Sequence, residues 1–136
     1  MPPEANAVAA AREWLRYARS NLGLAKLAKP PDVLWEDLCF EAQQAAEKAV
    51  KAVLVFRGID FPKTHLIADL LVILSCSGEA VPEELWRADL LSDYAVTTRY
   101  PRRGASLGEP EYRSAVEVSE RVVQWAEAII GGATKD

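Results

Sequence analysis

A cationic segment near residue 100 contains the side chains whose chemistry is simplest to interpret. Residues 98–103 read TRYPRR, so Arg99, Tyr100 and Arg102 lie close together in sequence. A planar guanidinium grips a phosphate through two parallel hydrogen bonds, which makes this segment a candidate site for a nucleotide or another anion. The alternative is a structural role, in which Arg99 is solvated in a loop or paired with Asp93 on the preceding helix. Both interpretations stay open at the level of sequence.

A long helical run over residues 40–56, FEAQQAAEKAVKAVLVF, supplies two further cations. It contains neither Gly nor Pro, and small apolar residues recur at three- and four-residue steps, which places them on one helix face. The polar residues of a neighbouring face are Gln44, Lys48 and Lys51. Glu41 and Glu47 are near enough to pair with the lysines, which favours a solvated face. If the helix instead packs against the arginine-rich segment, the cations converge on a nucleotide-phosphate pocket.

The single histidine, His65, follows Lys63 and Thr64 in a short connection. A lone histidine in such a place is typical of a polar residue that packs or helps to cap a helix. A Ser-His-Asp or Cys-His hydrolase needs a partner set for this histidine, and the chain has no GxSxG elbow. It also lacks the glycine loops GxGxxG and GxxxxGK[ST] that bind phosphate. The sequence therefore predicts no catalytic residue of these classes.

The amino-acid composition argues against further classes of function. Half of the residues are hydrophobic, and the net charge of −4 argues against a protein whose whole surface binds nucleic acid. Cys39 and Cys76 lie in predicted helices, and we expect two buried thiols in a reducing compartment. One histidine and two scattered cysteines do not supply the four ligands of a zinc site, so no metal or cofactor is predicted.

Five helices must position these residues. The predicted ranges are 7–28, 33–56, 65–75, 82–97 and about 110–130. Pro30 ends the first helix, Gly58 suits a left-handed cap of the second, and Asp32 and Thr64 are candidate N-caps. Strand signals are absent from the sequence. We predict an all-α fold, an antiparallel bundle of about five helices in which a short extra helix joins a four-helix core.

We expect one domain over residues 1–136, with its core in about 7–130. The sequence has no apolar stretch of about 18 residues, so no membrane contact is expected. The N-terminus lacks a basic start followed by a long apolar core, so it does not resemble a secretion signal. These features predict a cytoplasmic protein.

Four segments in this order resemble the HEPN domain family of small all-helical proteins. They are the helical run 40–56, FPKTHL at 61–66, Asp-Tyr at 93–94 and TRYP at 98–101. The resemblance, over roughly residues 14–125, implies a homodimer or higher homo-oligomer. It also implies pairing with a small MNT-type nucleotidyltransferase, in some prokaryotic cases as a toxin–antitoxin pair. The family's proposed nucleotide binding would map to Lys48, Lys51, His65, Arg99 and Tyr100.

Nuclease members of this family carry an arginine followed four to six residues later by a histidine, which assists attack by the 2′-hydroxyl. Here YPRRGASLG follows Arg99, with no histidine. Tyr100 is a poor substitute because an unperturbed tyrosine has a pKa near 10, far from the range in which a proton carrier works. The resemblance therefore favours a non-catalytic nucleotide- or partner-binding module. The alternatives are a metal-independent RNA endonuclease using Arg99 with Tyr100 or His65, and a scaffold without any ligand.

Overall fold

The structure, a computed structural model, describes residues 5–95 and 107–132. Its elements are α1 (Ala5–Ala25), α2 (Trp35–Phe56), α3 (Ile67–Cys76), a 3₁₀ helix (Glu83–Ala95) and α4 (Glu109–Gly132). Neither described range contains a β-strand. The predicted all-α helical bundle is confirmed.

Helix α2 occupies the centre of the bundle and contacts every other helix. Its inward surface is built largely from alanines that are fully buried, namely Ala42, Ala45, Ala46, Ala49 and Ala52. Small side chains let neighbouring helices approach closely, since the distance between packed helices depends on the side chains at their contact. Helix α1 also has small buried residues, and both Ala11 and Ala18 are fully buried. The two helices therefore lie near enough for polar side chains to bridge them.

Hydrogen bonds to backbone carbonyls fix α4 against this pair. The Ser119 hydroxyl donates to the carbonyl of Ala42 on α2 at 2.8 Å, in a buried position. The Tyr112 hydroxyl donates to the carbonyl of Ala25, the last residue of α1, at 2.5 Å. The ring of Tyr112 also packs on Trp35, with 4.8 Å between centroids. These bonds satisfy polar groups that would be costly to bury alone, and they set the position of α4 along the bundle.

The first connection differs from the prediction. Helix α1 ends at Ala25 rather than at residue 28. The Leu27 amide donates to the carbonyl of Leu24, three residues back, at 3.3 Å, so the chain leaves the helix in a tighter turn. Helix α2 begins at Trp35, and its N-cap is Leu34, which makes no side-chain capping bond. The prediction that Asp32 caps this helix is therefore wrong.

The N-terminus of α3 is satisfied by a different element. The helix begins at Ile67, two residues later than predicted, and the Ile67 amide donates to the Ser92 hydroxyl of the 3₁₀ helix at 2.9 Å. Thr64 instead accepts from the Leu66 amide at 3.0 Å, within the loop. The prediction of Thr64 as the N-cap is wrong, because a hydroxyl distant in sequence takes that role.

The fourth helix is a 3₁₀ helix rather than the α-helix that an ordinary helical pattern suggests. Its buried apolar residues Leu85, Ala88 and Leu91 stand three positions apart. A 3₁₀ helix has three residues per turn, so this spacing keeps all three side chains on the inward face. The predicted extension to residue 97 lies outside the described residues.

The end of α2 has the predicted left-handed glycine. Gly58 has φ of 70°, a conformation that favours glycine. The Ile59 amide donates to the carbonyl of Leu54 at 2.9 Å, and the Gly58 amide donates to that of Val55 at 3.0 Å. This turn reverses the chain, so that the loop 57–66 returns along α2.

Candidate functional site

A buried carboxylate lies at the centre of the candidate site. Glu47 on α2 is 3% exposed. Its Oε1 accepts from Gln43 Nε2 at 2.8 Å and from His65 Nδ1 at 3.0 Å, and its Oε2 accepts from Lys51 Nζ at 2.9 Å. Gln44 Nε2 donates in turn to Gln43 Oε1 at 2.6 Å. We call the set Gln43, Glu47, Lys51 and His65 the Glu47 cluster.

The protonation of the cluster follows from these bonds. Burial alone would raise the pKa of Glu47, but the hydrogen bonds from Lys51, Gln43 and His65 together hold that pKa below its ordinary value. An ionised carboxylate only accepts hydrogen bonds, so Nδ1 of His65 must carry a proton. Nε2 is then the ring atom of His65 that can meet a ligand, and this side chain is 51% exposed.

A four-residue repeat on α2 creates the inward part of the cluster. Gln43, Glu47 and Lys51 stand four positions apart and therefore follow one helix face. The expected intrahelical pair between Lys51 and Glu47 is present, yet the prediction of a solvated face is wrong for Lys51, whose side chain is only 12% exposed. Gln43 and Glu47 were not among the predicted site residues. The sequence signal that identifies them is a polar residue at every fourth position within an alanine-rich run.

Lys48 has a different environment. Its Nζ donates to Asn21 Oδ1 on α1 at 2.8 Å, and the amide of the same asparagine donates to Glu41 Oε1 at 2.7 Å. Asn21 therefore joins Lys48 and Glu41, in place of an intrahelical ion pair. Lys48 bonds a neutral amide where Lys51 bonds a carboxylate.

Aromatic rings from α1 and from the loop 57–66 flank both lysines. Lys51 Nζ lies 5.7 Å from the ring centroid of Trp14 and 5.9 Å from that of Phe61. Lys48 Nζ lies 5.9 Å from the ring centroid of Tyr17. An ammonium within about 6 Å of a ring face is attracted by the ring quadrupole. These rings hold the two ammonium groups close to the surface of α1.

The arginine-rich segment, the cysteines and the predicted absence of metal sites and membrane spans compare with the structure as follows. Arg99, Tyr100 and Arg102 lie outside the described residues, so their roles stay predictions. Cys39 is buried, but Cys76, at the end of α3, is exposed, so the expectation of two buried thiols is wrong for Cys76. Within 5–95 and 107–132, no group of three or more His, Cys, Asp or Glu residues could hold a metal ion. None of the described helices combines the length and apolarity that a membrane span requires.

The Glu47→Gln variant tests the cluster. At pH 7 we expect it to lower the free energy of unfolding by about 3 kcal/mol, because Lys51 loses its counter-charge in a poorly solvated position. The folded-state pKa of Glu47 is depressed, so its contribution is complete above the unfolded pKa of about 4.3 and is lost as pH falls through the folded pKa. The difference between wild type and variant should therefore shrink on acidification, as measured by urea unfolding at pH 7 and at about pH 3.5.

The matched control for this prediction is Glu109→Gln, which breaks an exposed pair with Arg113 on α4. Exposed pairs contribute little, so this variant should resemble wild type at both pH values. An equal loss of stability for Glu47→Gln at neutral and acidic pH would contradict the assignment of an ionised, pair-stabilised carboxylate.

The comparison with known proteins agrees with this architecture. A sequence model of the HEPN domain matches residues 11–129. An archaeal HEPN homologue of known crystal structure is 29% identical, with a TM-score of 0.71 and coverage of 88% of this chain and 97% of the homologue. A HEPN domain protein from Thermotoga maritima is 31% identical, with coverage of 94% and 93% and a TM-score of 0.39. No match is found among curated proteins. The chain belongs to the HEPN domain family.

Proposed function

We propose that this HEPN domain is a non-catalytic module that binds the phosphate of a nucleotide beside the Glu47 cluster and acts together with a partner protein. The observation that supports the proposal best is the meeting of Lys51 and His65 on one buried carboxylate. These two residues come from separate segments, and Lys48 is the residue directly after Glu47 on α2. Three predicted ligands thus belong to one region of the bundle.

The net charge around each side chain determines which of these residues would bind the anion. The positive charge of Lys51 is offset by Glu47 at 2.9 Å, so Lys51 adds little net attraction for a phosphate. Lys48 bonds the neutral amide of Asn21 and keeps its full charge. His65, oriented through Nδ1, can offer Nε2 as a donor when the ring is protonated. In this proposal Lys48 and His65 contact the phosphate, and Lys51 stabilises Glu47. The remaining proposed ligands are Arg99, Tyr100 and Arg102.

The Lys48→Met variant tests nucleotide binding. A wild-type protein that binds ATP gains stability with ligand concentration, by about 2.7 kcal/mol at one hundred times Kd. Loss of one charged hydrogen bond to a phosphate should weaken binding by roughly tenfold or more, because such bonds contribute about 1.5–3 kcal/mol. Thermal shift and calorimetric titration with ATP measure both effects.

The matched control is Lys26→Met. Lys26, the residue after the end of α1, is an exposed lysine that pairs with Glu120 on α4 and with no residue of the Glu47 cluster. It should bind ATP like wild type. If wild type shows no shift with ATP or other nucleotides at millimolar concentration, the phosphate site is refuted and the scaffold without a ligand becomes the better interpretation.

One observation favours a second candidate function, a metal-independent RNA endonuclease. A histidine whose Nδ1 is bonded to a buried carboxylate has a fixed tautomer and ring orientation, and its Nε2 is then suited to move a proton. Arg99 would hold the scissile phosphate in that mechanism. The binding module remains our choice because the family's arginine–histidine motif is incomplete after Arg99.

Incubation with tRNA and mRNA in the presence of EDTA separates the two candidates. A binding module leaves the RNA intact in wild type and in Arg99→Ala and His65→Ala. An endonuclease cleaves it in wild type and loses most activity in both variants, while Lys26→Met stays active. That second pattern would overturn the non-catalytic assignment.

We infer a partner protein from what is common in the HEPN family and from the exposed apolar side chains of this chain. HEPN proteins are commonly homodimers, and their genes often lie beside one for an MNT-type nucleotidyltransferase with which they form a complex. This chain exposes large apolar side chains that a partner or second copy would bury. The most exposed are Leu27, Leu34 and Leu90, at 58%, 59% and 73%. In some members of the family such a pair is a toxin–antitoxin system, and we propose the same for this chain.

Co-expression with a nucleotidyltransferase encoded beside this gene tests the pairing. We expect the two proteins to elute as one complex on size-exclusion chromatography. Leu90→Glu should weaken whichever assembly covers Leu90, the complex or the homo-oligomer, because it would bury a charge in the interface. The exposed polar substitution Arg113→Glu is the control. Two proteins that elute separately at micromolar concentration would refute the pairing, and a monomeric mass for this chain alone would refute the homo-oligomer.

A further inference from the structure

Helix α1 carries two aromatic side chains, Trp14 and Tyr17, that reach the surface of the bundle. Trp14 is partly buried and Tyr17 is 50% exposed. Together with Ala10 and Glu13 they line a shallow depression of about 270 Å³. We call it the Trp14–Tyr17 depression. The helix makes its core contacts through other positions, chiefly Ala11, Leu15 and Ala18.

Cations from α2 border this aromatic surface. Lys48 Nζ lies 5.9 Å from the Tyr17 ring, and Lys51 Nζ lies 5.7 Å from the Trp14 ring. The guanidinium carbon of Arg16 lies 5.1 Å from the Tyr17 ring. Aromatic faces with adjacent cations are the chemistry that binds nucleotides, because a base stacks on a ring while the phosphate meets the positive charge.

The depression is lined almost entirely by apolar atoms, and the carboxylate of Glu13 is the charged group at its edge. Glu13 is exposed and accepts from Arg16 at 2.5 and 3.1 Å. A carboxylate can in addition accept from the exocyclic amine of adenine, guanine or cytosine. An aliphatic ligand would use neither the carboxylate of Glu13 nor the neighbouring ammonium groups. The surroundings therefore fit a flat heterocycle with polar edges and an attached anion.

We propose that the Trp14–Tyr17 depression is a base subsite, in which the nucleobase of a nucleotide stacks on Tyr17 while its phosphate reaches Lys48. The proposal rests on the phosphate site proposed above and adds the part of the ligand that α1 recognises. A free nucleotide and a base within single-stranded RNA share this chemistry. Trp14 also packs against the core, but Tyr17 is half exposed, so its ring can be removed without unfolding the bundle.

Calorimetric titration with AMP, adenosine, ribose 5-phosphate and penta-adenylate tests the subsite. Tyr17→Ala removes the ring, and Tyr17→Phe is the matched control that keeps it. We expect Tyr17→Ala to weaken AMP binding by about tenfold or more, since stacking on an aromatic side chain contributes on that scale. Tyr17→Phe should bind like wild type, and ribose 5-phosphate should bind equally to all three proteins.

Fluorescence gives an independent readout. AMP should quench part of the tryptophan emission, and that part should disappear in Trp14→Phe, because the other three tryptophans lie outside the depression. Thermal unfolding of each variant without ligand establishes that the fold is retained. An unaltered quenching in Trp14→Phe would count against the subsite.

The four probes separate the outcomes. AMP binding that depends on Lys48 but not on Tyr17 would overturn the base subsite and leave the phosphate site intact. Adenosine binding that depends on Tyr17, with no gain from the phosphate and no effect of Lys48→Met, would support the subsite and refute the phosphate site. Penta-adenylate binding tighter than AMP, and lost in Tyr17→Ala, would assign the subsite to single-stranded RNA. Absence of binding by all probes would refute both proposals.

Discussion

The need to stabilise the buried carboxylate of Glu47 is the constraint on which the candidate site depends. A carboxylate removed from water costs several kcal/mol unless its oxygens are paired and hydrogen-bonded. Here the compensation comes from Gln43 and Lys51 on the same helix and from His65 in the following loop. Because one of the three donors lies outside α2, ionisation of Glu47 is coupled to the position of the loop 57–66. The only histidine of the chain is thereby held in one orientation.

The packing of α1 on α2 supplies the rest of the site. Buried alanines on both helices permit a close approach, and Asn21 spans the contact by bonding Lys48 and Glu41 at once. The same approach brings Trp14 and Tyr17 of α1 beside the ammonium groups of α2. Larger residues at the alanine positions would separate the helices and move these rings away from the lysines. The alanine content of α2 is thus a condition for the site as well as for the core.

Much of the fold could be predicted because it depends on local chemistry. The period of apolar residues in 40–56 identifies the central helix, and Gly58 adopts the left-handed conformation expected of it. The same local rules failed where a distant group intervened. Ser92, rather than Thr64, satisfies the first amide of α3, and Asp32 makes no cap for α2. A capping residue is predictable from sequence only when no other element brings a better acceptor.

The sequence by itself determined the helical class, the HEPN resemblance, the scarcity of proton-transfer groups and the candidate ligands Lys48, Lys51 and His65. Tertiary structure alone decided how these side chains differ. Lys51 is neutralised by Glu47, Lys48 meets a neutral amide, and His65 is fixed through Nδ1. The reason is that hydrophobic periodicity specifies which face of a helix is buried, whereas the charge state and partners of a polar side chain depend on the elements packed against it. Periodicity is encoded locally, and electrostatic environment is a property of the assembled bundle.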